Sequence, residues 1–204
     1  VAINGDYTVS DTNGLPRSGF VHSGWYDRRF TENNPYSGFV WSSDGREAFV
    51  GECVRNPADK QLITFANGNQ QRIDQINVPR GDNEVVLYTP DYAATTKTNG
   101  SGVEVVVEME RPSGILPNPG YAQGVVTAIY DQDGSTPIPF DAIVLSASGG
   151  ARDTLLANMN VGDTIRVSQE ITSLDGPNCS VNLGEAKDWS NAYAAIGGAY
   201  NFLV

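Results

Sequence analysis

Two stretches decide the fold class of this chain: Glu84-Val85-Val86-Leu87-Tyr88 and Val103-Glu104-Val105-Val106-Val107. Both are runs of β-branched and apolar residues, which favour an extended backbone and pack well on a pleated surface. Because the apolar residues are nearly continuous, we expect both stretches to be buried or half-buried strands. The chain is therefore predicted to be β-rich.

Further strands are predicted on both sides of these two stretches. Gly, Pro, Asn and Asp residues occur at short intervals over residues 53–187, which is typical of turns between short strands. Residues 151–159 are the helical candidate there, since Leu155, Leu156 and Met159 fall on one helical face. We interpret the region as an inserted, β-barrel-like subdomain. Its predicted strands are 61–65, 72–77, 84–89, 102–109, 123–130, 141–146 and 162–170.

The two ends of the chain are expected to form a second layer. Residues 38–42 and 46–50 flank Ser43-Asp44-Gly45, which favours a tight hairpin. A second helix is predicted over residues 188–196, where apolar residues recur at helical spacing and Gly197 can end the helix.

The predicted fold is a β-rich α+β fold with two short helices. We expect a discontinuous layer of mixed sheet made of residues 1–52 and 188–204. Residues 53–187 form the subdomain that is inserted into this layer.

Charge excludes some classes of partner. The chain has 204 residues, with 13 basic against 24 acidic side chains and a net charge of −11. A nucleic-acid groove or an anionic membrane surface would be repelled by this balance. We therefore expect neither nucleic acid nor a membrane as partner.

Composition also points to a location outside the cell. No apolar run approaches the roughly 20 residues that span a bilayer. The 22 Gly, 11 Pro, 9 Tyr and 3 Trp residues, with only 2 Met and 2 Cys, fit a secreted β-rich protein. Because Val1 is not an initiator methionine, we expect a mature or trimmed start.

Several separated blocks at the two ends resemble the phosphodiester glycosidase family, to which the lysosomal uncovering enzyme belongs. Secreted bacterial relatives carry a similar long β-rich segment, so the resemblance covers nearly the whole chain. In order, the blocks are Ala2-Ile3-Asn4-Gly5-Asp6-Tyr7, Gly14-Leu15-Pro16, Ser37-Gly38-Phe39-Val40-Trp41-Ser42-Ser43-Asp44-Gly45, Trp189-Ser190-Asn191-Ala192-Tyr193-Ala194-Ala195-Ile196-Gly197-Gly198 and Phe202-Leu203-Val204.

The resemblance implies a secreted hydrolase that cleaves sugar–phosphate diester linkages in glycans or cell-wall polymers, without a cofactor. The family's block of an Asp followed by three glycines is missing from this sequence. We therefore expect the chain alone to be inactive, and to associate with a C-terminal half or with itself.

Asn4, Gly5 and Asp6 are the first candidate site residues. Cleavage of a sugar–O–phosphate bond needs a group that protonates the leaving oxygen and a carboxylate that supports positive charge at the sugar carbon. Asp6 could supply the carboxylate, and Asn4 could bind a sugar hydroxyl or the phosphate, with Gly5 lining the substrate. The alternative is an Asx-type turn without chemistry.

Substrate binding is expected from Arg17, Arg28, Gly197 and Gly198. A guanidinium can clamp a phosphodiester with two parallel hydrogen bonds, and Arg29 offers the same chemistry next to Arg28. The alternative for the arginines is a solvated loop charge.

Cys53 and Cys179 bracket the predicted insertion. In a secreted chain with two cysteines we expect them to form a disulfide, which would stabilise the fold by about 4–5 kcal/mol by closing a long loop. The alternative is two buried free thiols.

No metal site is predicted. His22 is the single histidine, and Asp131-Gln132-Asp133-Gly134 lacks the later glutamate of a calcium-binding loop.

A second function class remains open from the sequence. The chain could be a non-catalytic extracellular module that binds carbohydrate or serves as a structural assembly subunit. Trp25, Tyr26 and Tyr36 are the aromatic residues that could stack on sugar rings.

Overall fold

The computed structural model describes residues 16, 19–22, 25–30, 36–42, 44–110, 121–173 and 192–197. Within these residues the protein is built from two β-sheets and one α-helix, which confirms a β-rich fold.

The first sheet has six strands, all paired antiparallel, in the order β13-β4-β3-β14-β1-β2. It combines strands from both ends of the described chain. Their bounds are β1 Phe20–His22, β2 Trp25–Arg28, β3 Tyr36–Ser42, β4 Ala48–Arg55, β13 Thr172–Ser173 and β14 Ala192–Gly197.

The second sheet has eight strands in the order β6-β5-β12-β10-β9-β11-β8-β7. It is a mixed sheet because β7 and β8 run parallel while the other neighbours are antiparallel. Its strands are β5 Leu62–Thr64, β6 Gln70–Arg72, β7 Gln75–Ile76, β8 Val85–Tyr88, β9 Gly102–Met109, β10 Ala122–Asp131, β11 Ala142–Ser148 and β12 Thr164–Ser168.

The strands predicted inside the second sheet are confirmed with small shifts of their ends. One predicted strand, 72–77, is divided between β6 and β7 by a short break. The predicted helix is confirmed as α1, Gly149–Asn158, with Leu155 buried. A 3-10 turn at Ala58–Lys60 was not predicted.

The helix predicted over 188–196 is wrong where the structure describes it. Residues Ala192–Gly197 form β14, which lies between β3 and β1 in the middle of a sheet. Apolar residues at 193 and 196 match a helical stripe, but a segment this short fits either period. Hydrogen bonds to two neighbouring strands decide in favour of the extended form. One α-helix is therefore present among the described residues instead of the two expected.

The predicted hairpin is confirmed. Strands β3 and β4 are joined by a turn in which Gly45 N donates to Ser42 O at 3.1 Å. Gly45 has a φ of +68°, a conformation that glycine adopts at little cost. Strand β4 continues past residue 52 to Arg55, and β13 pairs with its far end. The proposed division into domains stays a prediction.

The central strands of the second sheet are buried on both faces. One face of β9 carries Val103, Val105 and Val107 into a core that also contains the apolar face of α1 and residues of the first sheet. The other face places Val106 in a second cluster with Val86, Tyr88, Tyr92, Ile138, Ala142 and Val144. Burial on both sides explains why these strands are continuous apolar runs in the sequence.

Among the residues that the structure describes, no helix is long and apolar enough to cross a bilayer.

Candidate functional site

The two sheets meet where edge strand β2 of the first approaches edge strand β7 of the second. Asn77, directly after β7, joins them through its side chain. Its Nδ2 donates to Asp27 O at 3.1 Å and to Thr89 Oγ1 at 2.8 Å, and its Oδ1 accepts from Thr89 N at 2.8 Å. Asn77 is fully buried and has a φ of 51°, a conformation that Asn adopts more readily than most residues. This junction is therefore a specific, polar contact between the sheets.

A pair of carboxyl groups lies at the same junction. Asp27 of β2 is 3% exposed, and the nearby carboxyl group of Asp91 acts on its pKa. Asp91 is exposed and lies in the turn after β8, which the bond from Tyr92 N to Thr89 O closes at 3.0 Å. Asp27 Oδ1 has no hydrogen-bond partner among the described residues. The pair thus has one buried member and one member that faces solvent.

The environment keeps Asp27 protonated at neutral pH. Burial, together with the neighbouring Asp91 carboxyl group, raises the pKa of Asp27 to about 8. A carboxylic acid that holds its proton at pH 7 can donate that proton to a leaving oxygen. We call Asp27 and Asp91 the acid pair.

Arg28 and Arg29 follow Asp27 and reach across to the second sheet. Arg28 NH1 donates to Asn77 O at 3.2 Å. Arg29 donates to Ile73 O at 3.2 Å, to Asp74 O, and to Asn56 O at 3.4 Å. These bonds to backbone carbonyls hold the sheets together next to the acid pair. Phosphate binding by Arg28 stays a prediction.

Two of the residues predicted to bind substrate lie at the same end of the first sheet. Phe20 of β1 pairs with Arg28 of β2 on one side and with Ile196 of β14 on the other. Gly197 N donates to Gly19 O at 2.8 Å, next to this pairing. With strands about 5 Å apart, the backbones of Arg28 and Gly197 are roughly 10 Å apart.

Several predicted site residues cannot be placed. The predicted residues outside the described part of the chain are Asn4, Gly5, Asp6, Arg17, Gly198 and Cys179. The side chain of Cys53 is also outside it. The side chains of His22, Trp25 and Tyr36 are also outside the description.

Tyr26 is not a sugar-stacking residue. Its side chain is fully buried in the core between the sheets, so no ligand can reach the ring.

A second buried acid, Glu104 of β9, has a saturated set of hydrogen bonds. Its carboxylate accepts from Thr96 Oγ1 at 2.9 Å, Thr98 Oγ1 at 2.7 Å, Ser146 Oγ at 2.9 Å and Thr136 N at 3.0 Å. Burial acts to raise the pKa of Glu104, but the bonds from these groups bring that pKa below its usual value. The set of donors satisfies the carboxylate, so Glu104 fits a structural role.

Among the described residues, no three His, Cys, Asp or Glu side chains lie together in an arrangement that could hold a metal ion. Asp131, from the segment that resembles a calcium loop, instead pairs with Arg152 at 2.8 Å.

The acid pair was missed in the sequence because no local pattern distinguishes it. In Trp25-Tyr26-Asp27-Arg28, Asp27 lies between two large residues. An acid that faces solvent on an edge strand would show the same pattern. Asp91 lies in a Thr89-Pro90-Asp91 segment that is typical of a turn. Only the meeting of β2 with the turn after β8 brings the carboxyl groups together.

Two solved structures share this fold. A hypothetical protein from Synechocystis matches with a TM-score of 0.61 and 18% sequence identity over 98% of this chain. A "Putative exported protein" from Burkholderia pseudomallei matches with a TM-score of 0.61 and 16% identity over 96% of this chain. The chain spans 31% and 40% of the length of these two proteins. No protein-family model and no curated protein matches the chain.

Proposed function

We propose that this chain is part of a secreted hydrolase that cleaves glycosyl phosphodiester linkages in glycans or cell-wall polymers. The observation that carries the proposal is the acid pair at the junction of the sheets. Hydrolysis of such a bond needs a proton donor for the leaving oxygen and a group that accepts a proton from water. The sequence blocks similar to phosphodiester glycosidases support this substrate class.

In the proposed reaction, the carboxyl groups of the acid pair have complementary roles. Asp27 is buried and acts through Asp91: Asp91 passes the proton that Asp27 holds to the phosphate oxygen as the bond from that oxygen to the sugar carbon breaks. Asp91 accepts a proton from the water whose oxygen bonds to the sugar carbon. Transfer of this proton from Asp91 to Asp27 restores the starting state. Arg28, next to Asp27, supplies positive charge near the phosphate.

The setting of the reaction is also part of the proposal. One protein of similar fold is named as exported, and the composition favours an extracellular location. Because the block of an Asp followed by three glycines is missing from this sequence, we propose that a further C-terminal half contributes to the activity.

The acid pair is tested by replacing each carboxyl with an amide. Asp27→Asn and Asp91→Asn should each lower the release of sugar from a sugar-1-phosphodiester by roughly 10²–10⁴-fold, because general acid–base catalysis contributes about that much. The assay compares the chain alone with the chain supplied with its C-terminal half.

Asp82→Asn is the matched control, since Asp82 is an exposed acid outside the junction. It should leave the rate unchanged. Full activity in Asp27→Asn, with normal folding, would exclude the acid pair from the reaction.

A second candidate function is a non-catalytic extracellular subunit. It is favoured by an aromatic patch on the outer face of the first sheet, where Trp41 is 46% and Tyr193 is 43% exposed. The ring of Phe39 lies against Trp41, edge to face, with 4.3 Å between centroids. Exposed aromatic residues of this kind are common at binding surfaces.

A further inference from the structure

A row of polar side chains crosses the second sheet on a face turned to solvent. The pairing of the strands aligns Gln123 of β10 with Arg166 of β12, Arg166 with Thr64 of β5, and Thr64 with Gln70 of β6. Paired residues of neighbouring strands project on the same side of a sheet. The row therefore runs straight across four strands, perpendicular to them, with about 5 Å between successive side chains.

Hydrogen bonds orient the members of this row. Gln123 Nε2 donates to Glu110 Oε1 at 2.6 Å, which extends the row beyond β10. Arg166 Nε donates to Gln123 Oε1 at 3.4 Å, and Gln70 Nε2 donates to Thr64 Oγ1 at 3.2 Å. The row thus presents hydrogen-bond donors and acceptors along one line. They are carboxylate, amide, guanidinium and hydroxyl groups.

An aromatic ring flanks the row. Tyr121 precedes Gln123 by two residues, so both project on the same face of β10. The Arg166 guanidinium lies over the Tyr121 ring, 4.5 Å from its centroid, which fixes the orientation of both groups. Tyr121 nevertheless remains 52% exposed. An accessible ring beside planar hydrogen-bonding groups is suited to a sugar, which has apolar C–H faces and hydroxyl groups around its edge.

Charge narrows the class of ligand. The row contains one acid, Glu110, and one base, Arg166, so it carries no net charge although the whole chain has a charge of −11. A surface without net charge offers no electrostatic attraction to an anionic polymer, whereas uncharged hydroxyl groups can hydrogen-bond to every member of the row. The spacing of the strands is also close to the length of one pyranose unit in an extended glycan.

We propose that this row, Glu110, Gln123, Arg166, Thr64 and Gln70 with Tyr121, is a binding surface for an extended neutral glycan chain that lies across the strands. The surface is on the second sheet and does not use the acid pair. It goes beyond the proposed hydrolysis, because it would hold a polymer independently of any cleavage.

The test is a titration with two neutral oligosaccharides, cellohexaose and chitohexaose, followed by calorimetry and by amide chemical shifts in NMR spectra. The protein should bind at least one of them, with shifts concentrated on β5, β6, β10 and β12. Tyr121→Ala and Arg166→Ala should weaken binding at least tenfold. Both residues lie on the surface, and a thermal melt checks that each variant stays folded.

Two controls separate this surface from other features. Tyr130→Ala removes another exposed tyrosine of β10, 42% exposed and distant from the row along the strand, and should bind as well as the unmodified protein. Asp27→Asn should also bind normally, even if it abolishes hydrolysis. Absence of binding to both sugars, shifts located elsewhere, or equal binding by Tyr121→Ala would overturn the proposal.

Discussion

At the scale of single residues, the two buried acids of this protein behave in opposite ways. Asp27 has a raised pKa because few groups satisfy its negative charge, and one of its oxygens lacks a partner among the described residues. Glu104 is equally buried but accepts four hydrogen bonds. Burial alone therefore does not set the charge of an acid; the number of donors around it does.

The raised pKa of Asp27 should make stability fall as pH rises. The unfolded chain releases this proton near the ordinary pKa of 3.8, whereas the folded protein keeps it until about pH 8. Between these values the folded state binds more protons, so the contribution of Asp27 to the free energy of unfolding decreases by up to about 1.4 kcal/mol per pH unit. Urea denaturation measured from pH 4 to pH 8 reports this slope.

Asp27→Asn should remove that part of the pH dependence. The amide cannot ionise, so the curve for the variant should be flatter and should lie above that of the unmodified protein near pH 8. Asp82→Asn serves again as the control and should retain the original slope. Parallel curves for Asp27→Asn and the unmodified protein would show that Asp27 titrates normally.

At the scale of secondary structure elements, close contact between strands restricts side-chain size. Gly124 of β10 lies between β9 and β12, and a Cβ atom there would be 2.6 Å from Glu108 O and 2.8 Å from Val107 Cγ1. Gly150 in the first turn of α1 has open space around the same position. The same substitution should therefore have different effects at the two sites.

Gly124→Ala should destabilise the protein by about 1–3 kcal/mol, the usual effect of adding a methyl group to a packed site. Gly150→Ala should be neutral or stabilising by up to about 1 kcal/mol, because Ala favours the helix. Chemical denaturation of both variants measures the difference. Equal stability of the two variants would contradict the tight packing of β10 against β9.

At the scale of the whole molecule, the aromatic patch of Phe39, Trp41 and Tyr193 exposes two large aromatic side chains, Trp41 and Tyr193, on the first sheet. We predict that the chain associates with itself or with a second chain, because a sheet with an exposed aromatic face favours further contacts. Sedimentation velocity over a range of concentrations should show species larger than the monomer.

Trp41→Ala should shift this equilibrium towards the monomer, since it removes an exposed aromatic ring of the patch. Val161→Ala is a suitable control, because Val161 is 63% exposed in a turn away from the first sheet. A monodisperse monomer of the unmodified chain at all concentrations would count against association and against the second candidate function.

The sequence by itself determined the β-rich class, the strands of the second sheet, the β3–β4 hairpin and helix α1. Each of these depends on local signals: runs of β-branched residues, a turn with glycine at positive φ, and one apolar helical face. Such signals act within a few residues and can be read without knowing the neighbours.

Only the tertiary structure decided that residues 192–197 form a strand and that Asp27 meets Asp91. The short segment is compatible with helix or strand, and hydrogen bonds from β1 and β3 select the strand. The acid pair joins residues far apart in the chain through the contact between the sheets. The protonation of Asp27 depends on its burial and on the nearby Asp91 carboxyl group, and both conditions arise only when the sheets have packed.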